Sequence, residues 1–197
     1  MQDEQLTSAP VFTVREAHTA DAEGITALLS GIYAEQDYFV GAAAAPASVL
    51  QSRLEYRKPD ECVYLVAVSR DPAGFESVIG WLELHRQGAA RMRHVATLTL
   101  AVARRSRRGG VGRSLLRHSY RWCREVGVIK VSLNVRASNA AAVSLYLSEG
   151  FELEGRERGA IRVGPLDRLA TPATAADYED NLVMGRFVGG ASLDLTH

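Results

Sequence analysis

No stretch of the chain approaches the roughly 18 consecutive apolar residues of a membrane-spanning helix, so no membrane partner is expected. The first residues carry Asp3 and Glu4 and lack a basic segment ahead of an apolar one. That is not the pattern of a secretory leader, and the reading places the protein in the cytoplasm. Cysteine is scarce: Cys62 and Cys123 stand far apart in apolar surroundings, which excludes a disulfide framework and reads as packed free thiols in a reducing compartment. The 5 histidines are scattered without ligand spacing, so no metal centre is expected. An excess of charge is missing too. The 23 basic residues balance 23 acidic ones, and no overall field draws nucleic acid.

What is present is a globular balance: 47% hydrophobic and 23% charged residues in 197, enough to bury one core and too little for two ordinary domains. A single domain is expected over residues 11–188, with flexible ends at 1–10 and 189–197. Alternation and turn residues predict strands at 11–15, 62–68, 78–85, 93–102, 130–135, 151–158 and 181–188, with 161–163 continuing the sixth. Thr19 caps a helix reaching Tyr38, Pro46 opens another, and residues 110–125 and 140–149 form two more. The stretch 164–177, rich in Pro, Ala and Thr, reads as an exposed loop. Strands alternating with helices make this an α/β domain of three layers. The apolar last strand leaves open a homodimer through a sheet edge.

One local feature carries chemistry. From Arg104 to Arg124 the chain has eight arginines and no carboxylate, and within that run Arg107, Arg108, Gly109, Gly110, Val111 and Gly112 join a strand to an amphipathic helix. A strand ending in such a turn aims successive N–H groups at one point, and the helix adds its unpaired first-turn donors and dipole. Phosphate oxygens need several convergent donors, and glycine lets them approach closely, so the turn reads as a pyrophosphate site with Arg107 and Arg108 adding charge. A Walker A loop would need Gly-Lys-Ser/Thr where Gly112 is followed by Arg113 and Ser114. A dinucleotide fingerprint would need an acidic residue after the helix, where residues 127–130 offer none. Most arginines of the helix form a solvated face, and binding of nucleic acid is not expected.

Arg107-x-x-Gly110-x-Gly112 after the fourth strand resembles the signature of the GCN5-related N-acetyltransferase (GNAT) superfamily. The second block agrees in order: Leu133, Asn134 and Val135, then Asn139, Ala140 and Ala141, then Leu145 and Tyr146, closing on Glu149, Gly150 and Phe151. The resemblance extends less sharply over residues 13–188 and implies a three-layer fold with a mixed central β-sheet, splayed at its central strands by a β-bulge. It implies acetyl-CoA as cofactor, with the backbone of Leu100, Ala101 and Val102 pairing with the pantetheine arm. The N–H groups of Arg108, Gly109, Gly110, Val111 and Gly112, with Arg113, then hold the pyrophosphate. Asn139 contacts the arm and Tyr146 sits near the thioester sulfur. Positions 139, 142, 143 and 146 share one helix face, which lets both side chains meet one elongated ligand. The other reading of the pair is an N-cap and a core aromatic.

Acyl transfer to an amine needs a free lone pair on nitrogen, donors for the developing oxyanion and a proton for the leaving thiolate. Val102 N–H is the implied oxyanion donor and Tyr146 the implied acid. Many members of the superfamily carry a glutamate on the fourth strand, yet residues 96–99 contain none, so Glu83, His85 and His94 are the candidate bases, beside a water relay to a more distant carboxylate. The expected acceptor is the primary amine of a small molecule or amino acid, or alternatively a peptide or protein amino group. A non-catalytic acyl-CoA-binding module is the remaining reading. Residues 32–57 and 164–177 are expected to choose the acceptor, with Tyr33, Tyr38 and Phe39 as an apolar wall and Glu35 and Asp37 as attractors of an ammonium.

Overall fold

The structure is a computed structural model that describes residues 12–35, 38–41, 43–164, 174 and 177–188. The expected flexible ends, Asp37 and most of the 164–177 loop lie outside the described residues.

In chain order the elements are β1 (Phe12–Glu16), α1 (Ala22–Glu35), α2 (Ala47–Glu55), β2 (Cys62–Arg70), β3 (Glu76–Arg86), β4 (Val95–Val102), α3 (Val111–Val126), β5 (Lys130–Arg136), α4 (Ala140–Ser148), β6 (Glu152–Arg162) and β7 (Tyr178–Phe187). The start of α1 differs from expectation. A short 3-10 turn at Thr19–Asp21 precedes it, and the Asp21 carboxylate, not Thr19, takes the His18 N–H at 2.7 Å while pairing with Arg15. Ile25, Leu28, Leu29 and Ile32 then recur at helical spacing and are buried. Between β2 and β3, Asp71 closes the turn by accepting from Gly74 N and, through its side chain, from Phe75 N.

Among the described residues seven strands form one sheet in the order β1-β2-β3-β4-β5-β7-β6. Every neighbouring pair is antiparallel except β4 and β5. Helices α1 and α2 cover one face through Ile25, Leu54, Val66 and Trp81. Helices α3 and α4 cover the other through Leu82, Leu115, Leu133, Tyr146 and Phe151. Leu115 and Leu116 of α3 are wholly buried, each stabilising the layer by about 1.5–3 kcal/mol. The last strand is not an edge. It lies between β5 and β6, with main-chain pairing along both of its sides, and among the described strands the edges are β1 and β6.

The feature that positions the site is the parting of β4 from β5. They pair only at Val95–Lys130, Ala96–Val131 and Thr97–Ser132. On its other edge β4 stays in unbroken register with β3, from Arg86–Ala96 to Gly80–Val102. No bulge on β4 makes the split, contrary to expectation. Instead β5 follows β7, with which it pairs along its whole length, and leaves β4 behind.

Candidate functional site

The split opens into a cleft of about 960 Å³ that reaches both faces of the sheet, of the size that holds a cofactor or drug-sized ligand. Its α3–α4 side is walled by Leu98, Leu100, Leu145 and Tyr146, and its other side by Thr97, Thr99, Asn134, Asn181, Tyr38 and Phe39.

Main-chain directions on β4 follow from its period of two. Ala103 N donates to Ile79 O of the β3 side, while His94 O accepts from Lys130 N on the β5 side. Odd-numbered residues therefore face β3 and even-numbered ones face β5. Beyond the last pair, whose closing bond uses the Leu98 N–H, the Leu98 C=O and the main-chain groups of Leu100 and Val102 turn into the split, whereas the Ala101 groups are spent on β3. The Val102 carbonyl accepts from Arg107 Nε at 3.1 Å, and its N–H is left open.

The glycine-rich turn behaves as its composition predicts. Arg108 has φ 66° and Gly110 φ 80°, left-handed values that curl the backbone into a concavity of N–H groups. The first α3 bond runs from Ser114 N to Gly110 O. Among the described residues, the N–H groups from Arg108 to Arg113 have no acceptor within the protein. Gly112 allows a close approach: a Cβ there would lie 2.9 Å from Leu145 Cδ2, so a larger residue would displace the Leu145 side chain in the cleft wall.

The arginines of this region divide. Arg107 does not lend its charge to the turn: its guanidinium grips the Glu35 carboxylate at 2.6 and 2.9 Å, touches the Tyr38 hydroxyl at 3.1 Å and lies over the Tyr38 ring. Its own N–H faces Arg104 O. Glu35 is held below the ordinary carboxylate range, first by the hydrogen bond from Arg107, so it is no free attractor of an ammonium. Arg113 stays at the cleft rim, tethered to the buried Glu149 at 2.9 Å and to Ser148 Oγ. Arg117 shares Glu149 and Arg121 pairs with Glu125, which neutralises much of the basic face of α3.

On α4, Asn139 caps the helix by accepting from Ala142 N at 3.1 Å and also lines the cleft. Tyr146 packs its ring on Phe151 and is 6% exposed. Its hydroxyl has no partner in the protein yet is not sealed off, because it opens on the cleft. Burial pushes this phenol above its ordinary value, which keeps the proton on.

None of the three candidate bases lines the cleft. Glu83 sits beside Thr99 and Tyr64 in the sheet, and His85 lies 3.5 Å from Glu83 with its ring edge-on to Tyr64. His94 stands exposed at the closed end of β4, where its carbonyl ties β5 down. Among the described residues no group could hold a metal ion. The cysteines are also remote: both are buried and neither lines the cleft.

Sequence reasoning missed a polar wall on the β5–β7–β6 side. Asn181 Nδ2 donates to Asn134 Oδ1 at 3.3 Å and to Glu157 Oε2 at 2.6 Å, and all three residues line the cleft. The signal available was asparagine inside apolar strands, where that residue is depleted.

The acetyltransferase (GNAT) family profile matches residues 28–151, well over half of the chain. The chain belongs to this family and is an acyl-CoA-dependent acetyltransferase. It is 29% identical over 148 residues to the L-amino acid N-acetyltransferase AaaT of Escherichia coli (strain K12), covering 73% of this chain and 85% of that one. Two solved structures of similar fold are a ribosomal-protein-alanine N-acetyltransferase from Brucella melitensis, with TM-score 0.73, 24% identity and coverage of 89% and 99%, and yncA from Salmonella typhimurium with its cofactor acetyl-CoA, with TM-score 0.74, 18% identity and coverage of 91% and 95%.

Proposed function

We propose that the protein transfers an acetyl group from acetyl-CoA to the primary amine of a small molecule, and that the α-amino group of an L-amino acid is its acceptor. The observation that carries the cofactor is the run of open N–H groups from Arg108 to Arg113 beside a strand whose even-numbered main-chain groups lose their partner on β5 after the Thr97–Ser132 pair. That chain of donors fits an anion joined to an amide-bearing arm: the turn binds the pyrophosphate, and the Leu98 C=O, the Leu100 N–H and C=O and the Val102 N–H pair with the arm as a strand would. Bound acetyl-CoA supplies an acetyl group activated as a thioester.

The residues around it have separate tasks. Arg113, steadied by Glu149, adds charge at the rim. The open Val102 N–H donates where negative charge develops on the acyl oxygen. Tyr146, protonated because it is buried, gives its proton to the departing sulfur, and the proton shed by the nitrogen as the amide forms restores the phenol through solvent water. The α-amino acid reading draws on the E. coli relative and on the apolar lining of Ile32, Phe39, Val40 and Ile161, which suits an uncharged side chain. Release of coenzyme A measured over a panel of L-amino acids, alkylamines and a peptide with a free N-terminal alanine, with product masses, tests it. Acetylation of the peptide alone would replace the acceptor, and no acetylation with intact coenzyme A binding would leave a binding module.

A further inference from the structure

Among the residues lining the cleft, Glu157 is the single carboxylate that the structure describes. It is aimed there by an irregularity in β6. Glu157 pairs with Asn181, yet the next pair is Ile161 with Glu179, so β6 spends two more residues than β7 between them. Such bulges bend a strand and re-aim its side chains, often beside active sites. This one is fixed by Asp180, which accepts from Gly159 N at 2.8 Å and from Arg156 Nε at 2.5 Å. Gly159 has φ 57° within it.

The hydrogen bonds of the polar wall leave a defined remainder. Asn181 Nδ2 gives to both Asn134 Oδ1 and Glu157 Oε2, which fixes the sense of the chain and leaves Asn134 Nδ2 as a donor and Glu157 Oε1 as a charged acceptor. Ile161 stands beside them in the lining, and Phe39 and Val40 contribute from across the cleft. We infer that this wall is the acceptor subsite: Glu157 takes the ammonium, which gives one proton to solvent water before its nitrogen attacks, Asn134 donates to the oxygen of the adjoining carboxylate or carbonyl, and the apolar residues take the side chain. The ligand class is an α-ammonium compound with a neighbouring carbonyl oxygen and an apolar side chain. The inference rests on the amine-acetylation reading and adds the residues that choose the amine.

Three probes separate the parts: L-leucine, L-leucinamide and isoamylamine, the last lacking the carbonyl carbon. Glu157→Gln keeps the bond from Asn181 and removes only the charge, so a purely structural role would leave it silent. The expected result is a KM for L-leucine at least tenfold higher with kcat within about twofold. Calorimetric binding of L-leucine to the coenzyme A-loaded protein should weaken in parallel, while coenzyme A affinity stays the same. Glu157→Asp should recover part of the loss. Asn134→Ala should raise KM for L-leucine and L-leucinamide but not for isoamylamine, and Asp180→Ala should mimic Glu157→Gln by releasing the bulge. An unchanged KM and Kd in Glu157→Gln, with wild-type enzyme that acetylates L-leucine, overturns the inference alone. Wild-type enzyme that binds coenzyme A and acetylates none of the three amines overturns it together with the amino-acid reading.

Discussion

The two edges of β4 are put to opposite uses. Toward β3 it is paired in seven successive positions without a break. Toward β5 it is paired in three and then abandoned. One strand thus has its odd-numbered main-chain groups held by β3 along its length and its even-numbered ones, past the third pair, left open to the cleft. An open backbone edge is ordinarily a liability, and here it lies inside the sheet, where only a narrow molecule can reach it.

Changes behind the closed edge should strike folding, and changes around the open edge should strike turnover. The largest expected effect is Leu82→Ala. Leu82 is wholly buried on β3 in the α3 layer, and truncation should cost about 2–5 kcal/mol in denaturant unfolding with kcat of the folded fraction unchanged. Next comes Tyr146→Phe, expected to lower kcat roughly 100-fold while the calorimetric Kd for acetyl-CoA stays constant. A loss of affinity equal to the loss of rate would make Tyr146 part of the packing.

Gly110→Val adds a side chain where there is open space but φ is 80°. The strain of about 1–2 kcal/mol should appear as roughly tenfold weaker acetyl-CoA binding with a modest fall in melting temperature. Arg107→Ala should act on the acceptor rather than the cofactor, raising the acceptor KM several-fold because Tyr38 loses its tie. With Glu35→Gln it should be non-additive in a double-mutant cycle. The smallest expected effect is no effect: since burial raises the Tyr146 phenol above its ordinary 10.0, its acid form persists as pH rises, and kcat should stay level from about pH 8 to 10. A falling limb below 10 attributable to Tyr146 would break the assignment.

How much of this could be read in advance depended on sequence distance. The turn from Arg107 to Gly112 and the Asn139 cap were legible because their partners lie within a few positions: φ at Gly110 and the bond to Ala142 N are set locally. The main helices and strands were likewise legible, within a few residues at their ends. Arg107 was misread because its partner, Glu35, is 72 positions away, and nothing in a glycine-rich motif says which way a long side chain will swing. The interior position of β7 and the bulge at Glu157 are properties of strand order and register. A run of apolar residues looks the same at an edge as beside one. The missing carboxylate of β4 could be seen, but the carboxylate of Glu157, three strands away in the cleft lining, could not.

The two cysteines carry a practical consequence. Cys62 and Cys123 are buried, and the Cys123 thiol is pushed up to about 12 by its burial. The native chain is therefore nearly silent toward a thiol-reactive dye, and the colour that develops during turnover belongs to the coenzyme A set free. In denaturant the same dye should find two equivalents per chain, so one reagent both counts catalytic events and calibrates the concentration of the enzyme producing them.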